Sequence, residues 1–151
     1  MTFDPLGKIL GKTWPLKDKY SRNVIQPITG APYHGNIEKE TKRNPNYRDT
    51  LFTGHHSQVI VMSLLPGQEI GNEVHPKVDQ FFRIEQGTAK FVLDNGKKTF
   101  VEGNGGAVMV PAGHWHNVIN PSKTSLLKLY TIYSPRNHPP RTKQKLRPRN
   151  D

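Results

Sequence analysis

From residue 58 to residue 134 the sequence falls into short runs rich in β-branched and aromatic residues. Turn-forming residues separate the runs about every eight to twelve positions. The runs are QVIVMSLL (58–65), DQFFRIE (79–85), TAKFVLD (88–94), KKTFVEG (97–103), AVMVP (107–111), HWHNVIN (114–120) and SLLKLYTIYS (125–134). Glycine, proline or asparagine punctuates the gaps, and no helical period of useful length intervenes. Asn95-Gly96 sits between two alternating runs and predicts a hairpin with a type I′ turn, whose two central residues both need positive φ. Many short strands with close turns imply an all-β sandwich, jelly roll or barrel.

At 151 residues the chain fits one such domain with its tails. Residues 1–30 carry Pro5, Pro15 and Pro27 and hold no sustained period, which predicts an irregular arm. Leu6, Ile9, Leu10, Trp14 and Tyr20 give that arm enough apolar content to pack on something. Residues 135–151 are rich in proline and cations and are expected to be a solvated tail. The formal charge of +10 divides into +3 on residues 1–30, +2 on residues 31–134 and +5 on residues 135–151. The basicity therefore belongs to the ends. It surrounds no recognition motif, so no specific nucleic-acid partner is expected. No run approaches the ~20 apolar residues that cross a bilayer. The segment with Asp4, Pro5, Lys8 and Lys12 lacks the apolar stretch of a signal peptide, and the expected location is cytoplasmic.

The absence of cysteine removes thiolate sites and disulfides, so any metal must be held by nitrogen and oxygen. Strand alternation indicates which such donors can converge. Along 79–85 one face carries Asp79, Phe81, Arg83 and Glu85, and the other carries Gln80, Phe82 and Ile84. Charges stay in water, which turns Gln80 inward. Glu73 and His75 are two apart and share a face, as do His114, His116 and Val118.

These two clusters resemble the two motifs of the cupin superfamily. The first motif is a glycine, a pair of histidines one residue apart, a glutamate and a closing glycine. Here it reads GQEIGNEVHPKVDQFFRIEQG from Gly67 to Gly87, with Glu73 in place of the first histidine and Gln80 in place of the glutamate. The second reads GGAVMVPAGHWHNVIN, with Gly105, Pro111, Gly113, His116 and Asn120 in their expected places. The chain is most similar to small one-domain cupins carrying E-x-H-P-x-x-D-Q-F-F-R-I-E-x-G. The resemblance implies a double-stranded β-helix (jelly-roll) barrel over residues 31–134. It also implies one divalent ion, such as iron, manganese, nickel or zinc, on Glu73, His75, Gln80 and His116. The usual three imidazoles and one carboxylate become two imidazoles, a carboxylate and a carboxamide. The ligand charge is unchanged, which argues for a paired exchange of ligands.

Each of these residues has a plainer reading. A glutamate and two histidines inside a barrel can form a polar network that holds only water. Asp79 rivals Gln80 as a ligand, but the count to Gly87 and the inward face both select Gln80. His114 is expected at the barrel mouth, with Phe82 beside it in a substrate pocket. Phe91, Met109 and Tyr130 are expected in the core or pocket wall, and His55 and His56 in an exposed loop. The glycines at 67, 87, 105 and 113 are expected to serve turns. The expected function is action on a small polar molecule, a sugar or organic acid, at a mononuclear metal, as in an oxygenase, isomerase or epimerase. The alternative is a binding or sensing module without turnover. Sheet edges and an apolar outer face predict a homodimer.

Overall fold

Nine strands and one short α-helix make up the regular structure of residues 32–149, which this computed structural model describes. The arm expected over residues 1–30 lies outside the described residues. The helix α1 (Ile37–Arg43) is followed by β1 (Arg48–Thr53), β2 (Gln58–Leu64), β3 (Asp79–Gln86), β4 (Ala89–Leu93) and β5 (Lys98–Glu102). After these come β6 (Ala107–Val110), β7 (His116–Ile119), β8 (Leu127–Ser134) and β9 (Lys143–Gln144). They form two antiparallel sheets, a large one in the order β6-β3-β8-β2-β1-β9 and a small one in the order β5-β4-β7. This is the jelly-roll arrangement that the runs and motifs predicted.

Alternation in β3 follows the expectation: Gln80, Phe82 and Ile84 are buried, and Asp79 is exposed. Phe82 from the large sheet meets Phe91 from the small sheet edge to face, with ring centroids 5.3 Å apart, and Phe91 stacks on Phe100 at 5.6 Å. Those rings, with Met62, Leu129 and Val118, form the core between the sheets. Burying each phenylalanine contributes about 2–3 kcal/mol. Gly87 ends β3 with φ +86, and a Cβ there would lie 2.5 Å from the Leu126 carbonyl oxygen, so only glycine fits this turn.

Several expectations need correction. The hairpin at Asn95-Gly96 forms, but Leu93 pairs with Lys98 across a four-residue loop in which Asp94, Asn95 and Gly96 all have positive φ. Asp94 leaves the strand because its backbone N–H bonds the Trp115 carbonyl and its carboxylate meets His114. The helix α1 was not predicted. It buries only Thr41, so it has no apolar stripe, and its signals are the Asn36 cap, early Glu38 and Glu40, and late Lys42 and Arg43. Met109 is 58% exposed, because Val108 and Val110 are the inward residues of β6. Glu85 is buried where water was expected, since β3 slips register between Ile84 and Gln86.

The C-terminal segment departs furthest from expectation. Residues 138–147 do not run free in solvent but lie along the edge of the large sheet. The strand β9 pairs with β1, and the Thr142 and Lys145 carbonyls accept from the N–H groups of Thr50 and Tyr47. Buried Gln58 anchors the start of the segment. Its Oε1 accepts from the N–H groups of Asn137 and His138, and its Nε2 donates to the His138 carbonyl at 2.9 Å. The cationic side chains remain outside while the backbone supplies the pairing. No described helix is long and apolar enough to cross a membrane.

Candidate metal centre

Three stretches of chain bring the polar side chains together. Gln80 comes from β3 and His116 opens β7. Glu73 and His75 come from the connection between β2 and β3, which a reciprocal pair of backbone bonds between Glu73 and His116, both 2.9 Å, ties to the small sheet. Gly113 N–H donates to the His75 carbonyl at 2.9 Å and holds the second motif against the first.

One donor atom each from Glu73, His75 and His116 lies within 4.8 Å of the others. Glu73 Oε2 is 3.4 Å from His75 Nε2 and 3.5 Å from His116 Nε2, and Gln80 Oε1 is 3.1 Å from His116 Nε2. The side chain of His116 is 1% exposed, that of His75 11% and that of Glu73 32%, so the cluster opens toward solvent on the glutamate side.

The hydrogen-bond network fixes which atoms point at the centre. His116 Nδ1 lies 3.0 Å from the His114 carbonyl, which can only accept, so Nδ1 donates there and Nε2 is the ring atom aimed at the centre. Thr131 donates its hydroxyl to the Phe81 carbonyl at 2.9 Å and accepts from Gln80 Nε2 at 2.9 Å. Gln80 is thereby turned with its oxygen inward. A carboxylate oxygen, a carboxamide oxygen and an imidazole nitrogen converge, while buried His75 Nε2 has no hydrogen-bond partner. A nitrogen and oxygen set of this kind is a candidate site for a divalent first-row ion. Burial resists the charge on Glu73, but the two imidazoles that face its Oε2, at 3.4 Å (His75) and 3.5 Å (His116), outweigh that. The carboxyl is held down at about 2 and stays ionised.

Phe82 packs edge-on to His116 at 6.0 Å. The imidazole of His114 is half exposed and turns to Asp94, 3.0 Å away, so it is the His114 backbone that serves His116. Asp79 is exposed and accepts from Ala112 N–H, away from the ligand position it rivalled. Tyr130 is only half buried, against Phe81. Sequence reasoning missed Thr131 and Tyr133. The ring of Tyr133 stands edge-on to His75 at 5.9 Å, and its hydroxyl lies 3.4 Å from His138 Nε2. Alternation along β8 places Leu127, Leu129, Thr131 and Tyr133 on the inward face, and that signal would have found both.

Comparison with known proteins agrees with this picture. The Cupin domain family model matches residues 60–133. The chain is 49% identical over 130 residues to the uncharacterized protein YrkC of Bacillus subtilis (strain 168), covering 82% of this chain and 69% of that one. It is 48% identical over 109 residues to an uncharacterized protein of Acanthamoeba polyphaga mimivirus, covering 72% and 68%. Among solved structures, one from Bacillus halodurans matches with a TM-score of 0.74 and 42% identity, over 77% of this chain and 90% of that one.

Proposed function

This chain belongs to the cupin family, and from that premise we propose that its barrel holds one divalent metal ion on Glu73, His75, Gln80 and His116 and acts there on a small polar molecule such as a sugar or organic acid. The observation that carries this reading is the convergence of Glu73 Oε2, Gln80 Oε1 and His116 Nε2 beside the unpartnered His75 Nε2. A divalent ion on such ligands supplies a Lewis acid for a carbonyl, carboxylate or hydroxyl oxygen of a bound molecule. The chain's own residues supply the rest. Glu73 offsets part of the positive charge, Thr131 and the His114 carbonyl orient Gln80 and His116, and the rings of Phe82 and Tyr133 keep water off the inner side.

One observation favours the second reading, a binding module without turnover. Asp79, the carboxylate closest in sequence to Gln80, is exposed and engaged with Ala112, so it is not placed as a general base. Calorimetry with 2-oxo and 2-hydroxy acids on metal-loaded protein, metal-free protein and His116→Ala separates these readings. The proposal expects binding only in the first. Equal binding in all three contradicts a metal-centred function, and metal-dependent binding without conversion of sugars or organic acids selects the module.

A homodimer is the proposed assembly. Met109 on edge strand β6 is 58% exposed and Val101 on edge strand β5 is 57% exposed, leaving apolar surface on strands that are edges among the described residues. Light scattering at micromolar concentration is expected to give twice the chain mass, and a monomer refutes this.

A further inference from the structure

Lys128 points to the face of the large sheet opposite the metal centre, because its neighbours Leu127 and Leu129 belong to the core. The end of α1 and the C-terminal segment cover that face, leaving Lys128 only 6% exposed. Its Nζ donates to the Asn44 carbonyl at 2.6 Å, the single bond it makes among the described residues, although an ammonium has three donors. Ser63, its register partner on β2, is 8% exposed, and its hydroxyl has no bonding partner among the described residues. Both line a cavity of about 250 Å³. Lys145 and Arg147 add two cations to the lining, and none of the lining residues is acidic. Beside Gln68 and Tyr47, the rest of the described wall is apolar and includes Leu65, Leu126 and Leu146, which are 53%, 36% and 77% exposed.

A buried ammonium with donors to spare and no carboxylate in the lining among the described residues is costly unless an anion completes it. Burial pushes Lys128 below the usual lysine range, the direction expected of a charge lacking such a partner. A bare inorganic anion would leave the three leucines wet, and a neutral apolar ligand would leave the ammonium unpaired. We propose that this cavity binds a small organic carboxylate, which accepts hydrogen bonds from Lys128 Nζ and Ser63 Oγ while its hydrocarbon body lies against Leu65, Leu126 and Leu146. The volume is near the small end of ligand sites, which suits a short chain. The site is separate from the metal centre and needs no metal.

The test is titration calorimetry of the full chain with sodium hexanoate, sodium acetate and inorganic phosphate. Lys128→Met keeps the aliphatic stem and removes the charge. Leu146→Asp changes a residue too exposed to disturb folding and sets a like charge beside the ligand. Hexanoate is expected to bind the parent and metal-free His75→Ala equally, and to bind both cavity variants about tenfold or more weakly, the scale of a hydrogen bond to a charged group. Acetate and phosphate are expected to bind the parent far more weakly than hexanoate. The proposal is overturned if hexanoate does not bind, if neither cavity variant weakens it, if His75→Ala abolishes it, or if phosphate or acetate binds as well.

Discussion

The two sheets supply the metal centre in different ways. In the large sheet β8 is paired along its length with β2 and β3, and Gln80 reaches the centre from this interior, aimed by a side-chain bond to Thr131. The small sheet has three strands, and β5 is mostly exposed. Its contribution comes through the backbone, because the bridge between Glu73 and His116 makes the connection carrying Glu73 and His75 a continuation of that sheet. The larger sheet thus positions one candidate ligand, Gln80, and the smaller sheet with the connection bridged to it positions three, Glu73, His75 and His116. A bound ion would fasten one sheet to the other, and several measurements can break or sharpen that contrast.

The largest effect is expected at Phe82, whose ring touches both Phe91 of the small sheet and His116. Phe82→Ala should cost about 3–5 kcal/mol in denaturant unfolding. A loss below about 1 kcal/mol would mean that the sheets are not joined there. Next comes removal of residues 137–151, which strips β9 from β1, takes both partners from Gln58 Oε1 and leaves Gln58 Nε2 with Thr53 alone among the described residues. A loss of about 2 kcal/mol or more is expected, read as a fall in melting temperature. An unchanged melting temperature would restore the picture of a solvated tail.

Thr131→Val tests the large sheet's role more finely, since it keeps the side-chain shape and removes the hydroxyl that turns Gln80. Metal affinity should fall about 10–100-fold with the fold retained, as for other residues that orient ligands. Affinity equal to the parent's would show that Gln80 is not held from β8. The smallest effect is in acid. Glu73 is held at about 2 against an ordinary 4.5, so its ionised form stabilises the metal-free protein above pH 4.5, and that contribution fades as pH falls toward 2. The melting-temperature difference between the parent and Glu73→Gln should shrink across that window. A difference that does not change with pH would contradict it.

The same contrast explains what was legible in the sequence. The inward face of β3 could be read from Gln80, Phe82 and Ile84, because one buried side and one wet side impose a period of two. Glu85 broke the pattern at a register slip, which alternation cannot foresee. The C-terminal segment was misread because proline and lysine describe side chains, whereas its attachment runs through the carbonyls of His138, Pro140, Thr142 and Lys145. For His114, side-chain type suggested a pocket residue, and its backbone carbonyl proved to be the part that serves the centre. Glu73, His75 and His116 could be found from spacing. Thr131 and Tyr133 lie outside that spacing and come close to the ligands through β-pairing across some 50 residues, such as Gln80 with Tyr133, so alternation along β8 is the signal that marks them as inward.

The central claim is that the two sheets share one metal ion, and elemental analysis of protein purified without an affinity tag and reconstituted with iron, manganese, nickel or zinc tests it most directly. The account predicts close to one ion per chain in the parent and none in His75→Ala or His116→Ala, with both variants folded by circular dichroism. A parent that retains no ion from any of the four metals, or alanine variants that bind as much as the parent, would contradict it.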